Sequence, residues 1–175
     1  VQLYREIYQL RKAIPAPMKN RTFVNMLIAG WLCVGTPEGV AYLELIRDEI
    51  RDKVENKQGA IPQERFRLIS CFIPPFYELK LLDWLEREYG ASIVMEPGSV
   101  WLGKEEIDLS QPLESLAKIN LQFSTIKQMH GPAENFVQDT LRIAREFKPH
   151  AALYFAHIGC RQACALIRSI KDALQ

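Results

Sequence analysis

The segment HIGCRQAC, His157 to Cys164, puts two thiols and an imidazole where the apolar run AALYF gives way to a helix-like stretch. Cys160 falls at or just before the start of that helix, where free backbone N–H groups and the helix dipole favour an anion. The anion a cysteine supplies is the thiolate, the form that attacks electrophiles and binds metals. Arg161 adds positive charge beside it. Four roles fit a thiol so placed: nucleophile, redox thiol, metal ligand, or small residue tolerated in a turn. Position alone leaves these open. His157 reads as a group standing behind Cys160, as a general acid, or as an imidazole hydrogen-bonded only to backbone. Cys164, one helical turn further on among Ala163, Ala165 and Leu166, reads as core packing.

The elements that must position these groups follow from hydrophobic pattern. FRLISCFI, ASIVME and AALYFAH are short apolar runs with the character of buried strands. FYELKLLDWLEREYG, PLESLAKINLQF, AENFVQDTLRIAREFK and RQACALIRSIKDAL read as helices between and after them, the first closed by Gly90 as a C-cap. Strands apolar on both faces and alternating with helices indicate a parallel sheet covered on both sides. Residues 1–60 are read as a helical segment belonging to or linking from a preceding domain. Within it, Leu3, Ile7, Leu10 and Ile14 recur at helical spacing, and Val24 to Leu32 form a second apolar stripe. The sequence GTPEG supplies Thr36 as an N-cap, Pro37 for the first turn and Glu38 for the dipole of a third helix. Residues 65–175 are read as an α/β domain of the doubly wound, flavodoxin-like class, in incomplete form. The chain opens on valine and stops inside a helical pattern, so it reads as a piece of a longer polypeptide.

In such sheets, ligands bind beyond the carboxyl ends of the strands. That rule gathers Cys71 after the first strand, Glu96 after the second, and His157 with Cys160 after the third. Cys71 ends a buried strand and reads mainly as packing, with a weaker reading as a site residue. Cys33 lies on an apolar helix and reads as structural; Glu96 reads as a capping or solvated carboxylate; His130 and His150 sit in loop-like contexts. Neither a Walker A pattern nor a glycine-rich dinucleotide fingerprint is present. CxxC and GxSxG are also absent.

Composition narrows the class further. With 22 basic and 21 acidic side chains the net charge is +1, which argues against a nucleic-acid binder. No apolar run is long enough to cross a bilayer, so no membrane role is expected. Four cysteines are too few for a disulfide scaffold, and no signal peptide pattern opens the chain. Reduced thiols in a cytoplasm are the expectation.

Several segments, taken in order, resemble a known family. GTPEGVAYLELIRDEI, FRLISCFIPP, GASIVMEPGSVW, QPLESLAKI and REFKPHAALYFAHIGCRQ together look like subunits of 2-hydroxyacyl-CoA dehydratases and benzoyl-CoA reductases. This is the group of the 2-hydroxyglutaryl-CoA dehydratase D-component, and the resemblance is to its C-terminal part. The resemblance implies a 4Fe-4S cluster held by three cysteines in each of two related subunits. The last of the three matches Cys160; the other two would lie upstream of this chain, and Cys71 fits a turn facing the same region. It implies a CoA-thioester substrate, a second related subunit, and an ATP-dependent activator protein that supplies electrons. The implied chemistry is reductive and radical: loss of a hydroxyl as in a lyase, or reduction of an aromatic ring, in an oxygen-sensitive oligomer. A reading from a different class is a cofactor-free flavodoxin-like interaction domain whose strand ends serve a partner protein. A third is a thiol enzyme using Cys160 with His157.

Overall fold

A computed structural model describes residues 1–100 and 107–175. Trp101, the last residue of the GASIVMEPGSVW match, lies outside the described residues. The described elements run α1 (Gln2–Leu10), α2 (Asn20–Leu32), α3 (Pro37–Glu55), β1 (Phe66–Cys71), α4 (Lys80–Tyr89), β2 (Ala91–Met95), α5 (Pro112–Gln122), α6 (Ser124–His130), α7 (Ala133–Phe147), β3 (Ala151–Tyr154) and α8 (Arg161–Leu174), with a 3-10 turn at Pro97–Ser99.

The three strands form one parallel sheet in the order β2-β1-β3. Side chains alternate across it, as the period of two demands. Leu68, Ala91 and Ile93 face α1 to α4, where they meet Ile7, Phe23, Val24, Ile46, Ile50 and Leu82. Ile69, Cys71 and Val94 face the other layer, with Phe136, Ile143 and Phe147 of α7 and Ala163, Leu166 and Ile170 of α8. β1 and β2 are thus buried between helices on both faces, the α/β arrangement that continuous apolar strands predict. The edge strand β3 is instead exposed at Ala151 and Ala152 and half-buried at Leu153 and Tyr154, not the buried strand its apolar run suggests.

Residues 1–60 supply α1 to α3 of the first of these layers, and α4 completes it. Asn20, fully buried at the start of α2, donates from Nδ2 to the carbonyls of Leu82 (3.3 Å) and Ala91 (3.1 Å) and accepts from Ile93 N at 2.6 Å. A single amide thereby ties α2 to α4 and β2. The α3 start is as its sequence predicts: Thr36 Oγ1 accepts from Gly39 N at 3.0 Å, with Pro37 in the first turn. Gly39 is also forced by space, because a Cβ there would come within 2.2 Å of the Cys33 carbonyl oxygen. Gly90 ends α4 in the left-handed region at φ 60°.

Some boundaries differ from the sequence pattern. α4 begins at Lys80 rather than Phe76, because the Pro74–Pro75 pair opens a run of turns closed by Phe76 N to Pro74 O (2.8 Å) and Glu78 N to Pro75 O (2.9 Å). α6 was not apparent from hydrophobic spacing; Phe123, extended at ψ 124°, breaks it from α5, and seven residues are too few to show a period. β3 stops at Tyr154 because its partner stops: Phe72 turns out of β1 at φ 73°, and the last register pair is Cys71 with Tyr154. His157 therefore stands in a loop rather than on a strand.

Candidate functional site

The chain leaves β1 toward β2 on one side and returns to β3 on the other. Such a reversal opens a crevice beyond the carboxyl ends of the two strands that flank it, here β1 and β3. Cys71 and Tyr154 are the last paired residues at its floor, and Phe155 N donates to Cys71 O at 3.2 Å.

Cys160 is the N-cap of α8, with extended backbone (φ −105°, ψ 109°). Its Sγ accepts from Ala163 N at 3.5 Å, the role usually taken by a serine or aspartate oxygen. Its own N–H donates to His157 O at 2.8 Å, which folds the loop into a tight turn. The side chain is half-buried against the cluster that contains Cys71. A thiolate here would meet the unpaired N–H groups and positive dipole end of a fourteen-residue helix.

Cys71 is fully buried, and burial first, then the Glu96 carboxylate, pushes its thiol up to about 12. It is a protonated core sulfur. His157 is exposed; its imidazole lies against Gly159, where an added Cβ would come within 3.0 Å of Cε1, and its carbonyl accepts the Cys160 N–H. Cys164 is exposed rather than packed in the core, with Sγ 3.7 Å from His157 O and 4.0 Å from Ile158 O. One helical turn does separate it from Cys160, but the α8 stripe that enters the core is Ala163, Leu166 and Ile170. Cys33 lies at the end of α2, half-buried.

Two groups were not legible in the sequence. Tyr154 donates from its hydroxyl to Ala163 O at 2.7 Å and stacks on Phe72 at 6.2 Å. Burial, and after it electrostatic interaction with the three cysteines Cys71, Cys160 and Cys164, pushes its phenol up to about 12. Arg11 is the second. Its guanidinium is buried, lies 4.3 Å from the Phe23 ring centroid, and has no hydrogen-bond partner at Nη1 or Nη2. Burial pulls it down to about 9, while the Glu96 carboxylate opposes that shift.

Glu96, after β2, is 5% exposed, not solvated. It caps the 3-10 turn, accepting from Gly98 N at 2.7 Å and from the Ser99 hydroxyl. Burial nevertheless holds its carboxyl up at about 7, against the pull of Ser99, Gly98 and Arg11. Beside it, Gln128 of α6 is fully buried and accepts from Gln162 Nε2 of α8 at 2.5 Å through its backbone carbonyl. Gln128, whose Nε2 also donates to Pro97 O at 3.2 Å, thereby links the turn after β2 to the first turn of α8.

Among the described residues, no group of three or more His, Cys, Asp or Glu side chains converges as a metal site. Cys160, half-buried at the α8 start, has the donor chemistry of an iron ligand, and one thiol does not hold a cubane cluster. The residues present therefore fit a contribution to such a cluster, not the whole of it. None of the described helices is long and apolar enough to cross a membrane.

No curated protein matches the chain. The family model of the 2-hydroxyglutaryl-CoA dehydratase D-component matches residues 1–175, its full length. The parallel sheet, its crevice and the thiol at the α8 start are thus the frame of a chain that belongs to the 2-hydroxyglutaryl-CoA dehydratase D-component family.

Proposed function

We propose that this chain is part of a subunit of an oxygen-sensitive iron–sulfur enzyme that acts reductively on a CoA thioester, removing a hydroxyl from a 2-hydroxyacyl group or reducing an aromatic ring. In this reading Cys160 gives one thiolate to a 4Fe-4S cluster, and the remaining ligands come from outside these residues. The cluster would supply single electrons at low potential, and this chain would contribute the Cys160 thiolate to its ligation. The proposal includes a related second subunit and an ATP-dependent activator protein as electron donor, working in the cytoplasm. Residues 65–175 would form the α/β unit, with residues 1–60 joining it to the preceding part of the subunit.

The observation that carries the reading is the setting of Cys160: a half-buried sulfur capping α8 at the β1/β3 crevice, in a chain of this family. The residues around it have defined tasks. The Ala163 N–H points at the sulfur; the Tyr154 hydroxyl fixes the first turn of α8 by bonding the Ala163 carbonyl; the His157 carbonyl holds the Cys160 N–H. Cys71, kept protonated by burial, contributes volume rather than a thiolate. His157, exposed on the loop, would face the cluster or a partner.

The experiment is Cys160→Ser in the full-length subunit purified without oxygen beside its partner subunit. Iron content falls and turnover of the thioester is lost. Full iron and full activity in that variant would remove Cys160 from the ligand set. If the wild-type protein is folded and free of iron, the interaction-domain reading takes its place.

A further inference from the structure

Among the described residues, β3 pairs with β1 on one side and with no strand on the other. Such an edge presents a row of unpaired backbone N–H and C=O groups, and proteins usually blunt it with charge, proline or a bulge. The residues of β3, Ala151–Tyr154, have no charge and no proline, and their register with β1 runs without a bulge. A strand that is apolar throughout belongs inside a parallel sheet, yet Ala151 and Ala152 are exposed.

A groove of about 470 Å³ lies along this edge. Ala151 and Ala152 line it on the sheet side, and Ile167, Ile170 and Leu174 of α8 line it opposite. Ile167 is 41% exposed there. A further strand laid about 4.8 Å from β3 directs every second side chain into that groove. The end of α8 comes to the right place for such a strand. The helix starts at the carboxyl end of β3, where Cys160 caps it, and Lys171 and Gln175 near its end line the groove together with His150 and Ala151 at the start of β3.

Topology fixes which segment fits. The chain moves from β1 to β2 with α4 in the first layer, and back past β1 to β3 with α7 in the second. Opposite directions on opposite faces keep one hand, and crossovers between parallel strands are almost always right-handed. α8 packs in the same layer as α7. A strand reached through α8 with the same hand therefore continues in the direction from β2 to β3, which is the open edge.

We propose that the edge of β3 receives a fourth parallel strand, apolar on the face toward α8, from the polypeptide that follows α8 in the full-length subunit. β3 then stands inside the sheet, as its sequence suits, and the carboxyl end of the added strand emerges beside the His157–Cys160 loop. The inference uses no atom of Cys160 and stands or falls separately from the iron–sulfur reading.

The test is residue-resolved amide hydrogen exchange on the full-length subunit, alone and with its partner subunit. In an edge strand only the amides turned toward the neighbouring strand are protected; in an interior strand both sets are. All four amides of Ala151–Tyr154 exchange at least about a hundredfold more slowly than in an unfolded chain, in both samples. Ala152→Glu is measured in parallel, because a carboxylate there is harmless on an open edge and buried under an added strand. It lowers the urea midpoint by about 1 M or more. Fast exchange at alternate amides of β3 in both samples would overturn the proposal. Protection that appears only with the partner subunit would assign the strand to that subunit and overturn it too, as would an unchanged midpoint in Ala152→Glu. If that variant does not fold, the exchange pattern of the wild-type subunit decides alone.

Discussion

Replacing Glu96 by glutamine isolates the electrostatics of the buried strand end. Burial moves this carboxyl from its ordinary 4.5 to about 7. At about 1.4 kcal/mol per tenfold change in proton affinity, ionising it within the fold costs about 3 kcal/mol relative to ionising it in the unfolded chain. The sign follows from proton uptake. Between the two values the folded state holds the proton and the unfolded chain does not, so stability is greatest below 4.5 and falls as pH rises through 7. Glutamine cannot ionise and carries no such loss. It does forfeit a carboxylate oxygen that accepts the Ser99 hydroxyl, a roughly constant penalty of about 1 kcal/mol. Arg11, pulled down only to about 9, stays protonated throughout this range. Urea unfolding of both proteins from about pH 4.5 to 8 reads the difference directly. The stability difference moves in favour of Glu96→Gln by about 3 kcal/mol across that range. A flat difference, or one moving in favour of glutamate, would refute the assignment of a buried, ionisation-resisting carboxyl.

Three further outcomes are expected. Under native conditions a thiol reagent followed by peptide mapping modifies exposed Cys164 first and Cys71 only on unfolding, since Cys71 is buried with its thiol pushed up to about 12; equal labelling of the two would contradict the packing. Asn20→Ala removes the three bonds that join α2 to α4 and β2 and lowers unfolding free energy by about 2–4 kcal/mol; a loss under about 0.5 kcal/mol would show that the amide does not tie the layers together. Gly39→Ala forces a methyl against the Cys33 carbonyl and destabilises by about 1–3 kcal/mol, read as a lowered urea midpoint; an unchanged midpoint would mean that the α2–α3 junction yields freely.

How much of this was readable from the residues depended on the range of the interactions involved. The strands were legible because they are apolar on both faces, and the α3 start because Thr36, Pro37 and Glu38 act within one turn. The N-cap position of Cys160 is equally local. The end of β3 was not, because it depends on Phe72 turning out of the neighbouring strand, 83 positions before Phe155 in the chain. Arg11 and Gln128 were invisible for the same reason. Nothing near Arg11 in sequence says that Phe23 and Glu96 will close over it, and nothing near Gln128 announces Pro97 and Asp139. Glu96 has the sequence context of a capping or solvated carboxylate; it does cap, but the fold buries it to 5% exposure. Cys164 misled because alanine neighbours suggest a core, whereas the helix phase set by Ala163, Leu166 and Ile170 turns it outward.

The central claim is that Cys160 ligates iron. The measurement that meets it most directly is iron and acid-labile sulfide analysis with a visible spectrum, made without oxygen on the full-length subunit co-purified with its partner, beside the Cys160→Ser variant. The account predicts a brown wild-type protein with about four irons and four sulfides per subunit, and a folded variant with a depleted or altered cluster. A colourless, iron-free, folded wild-type protein, or a variant with undiminished iron and an identical spectrum, would contradict it.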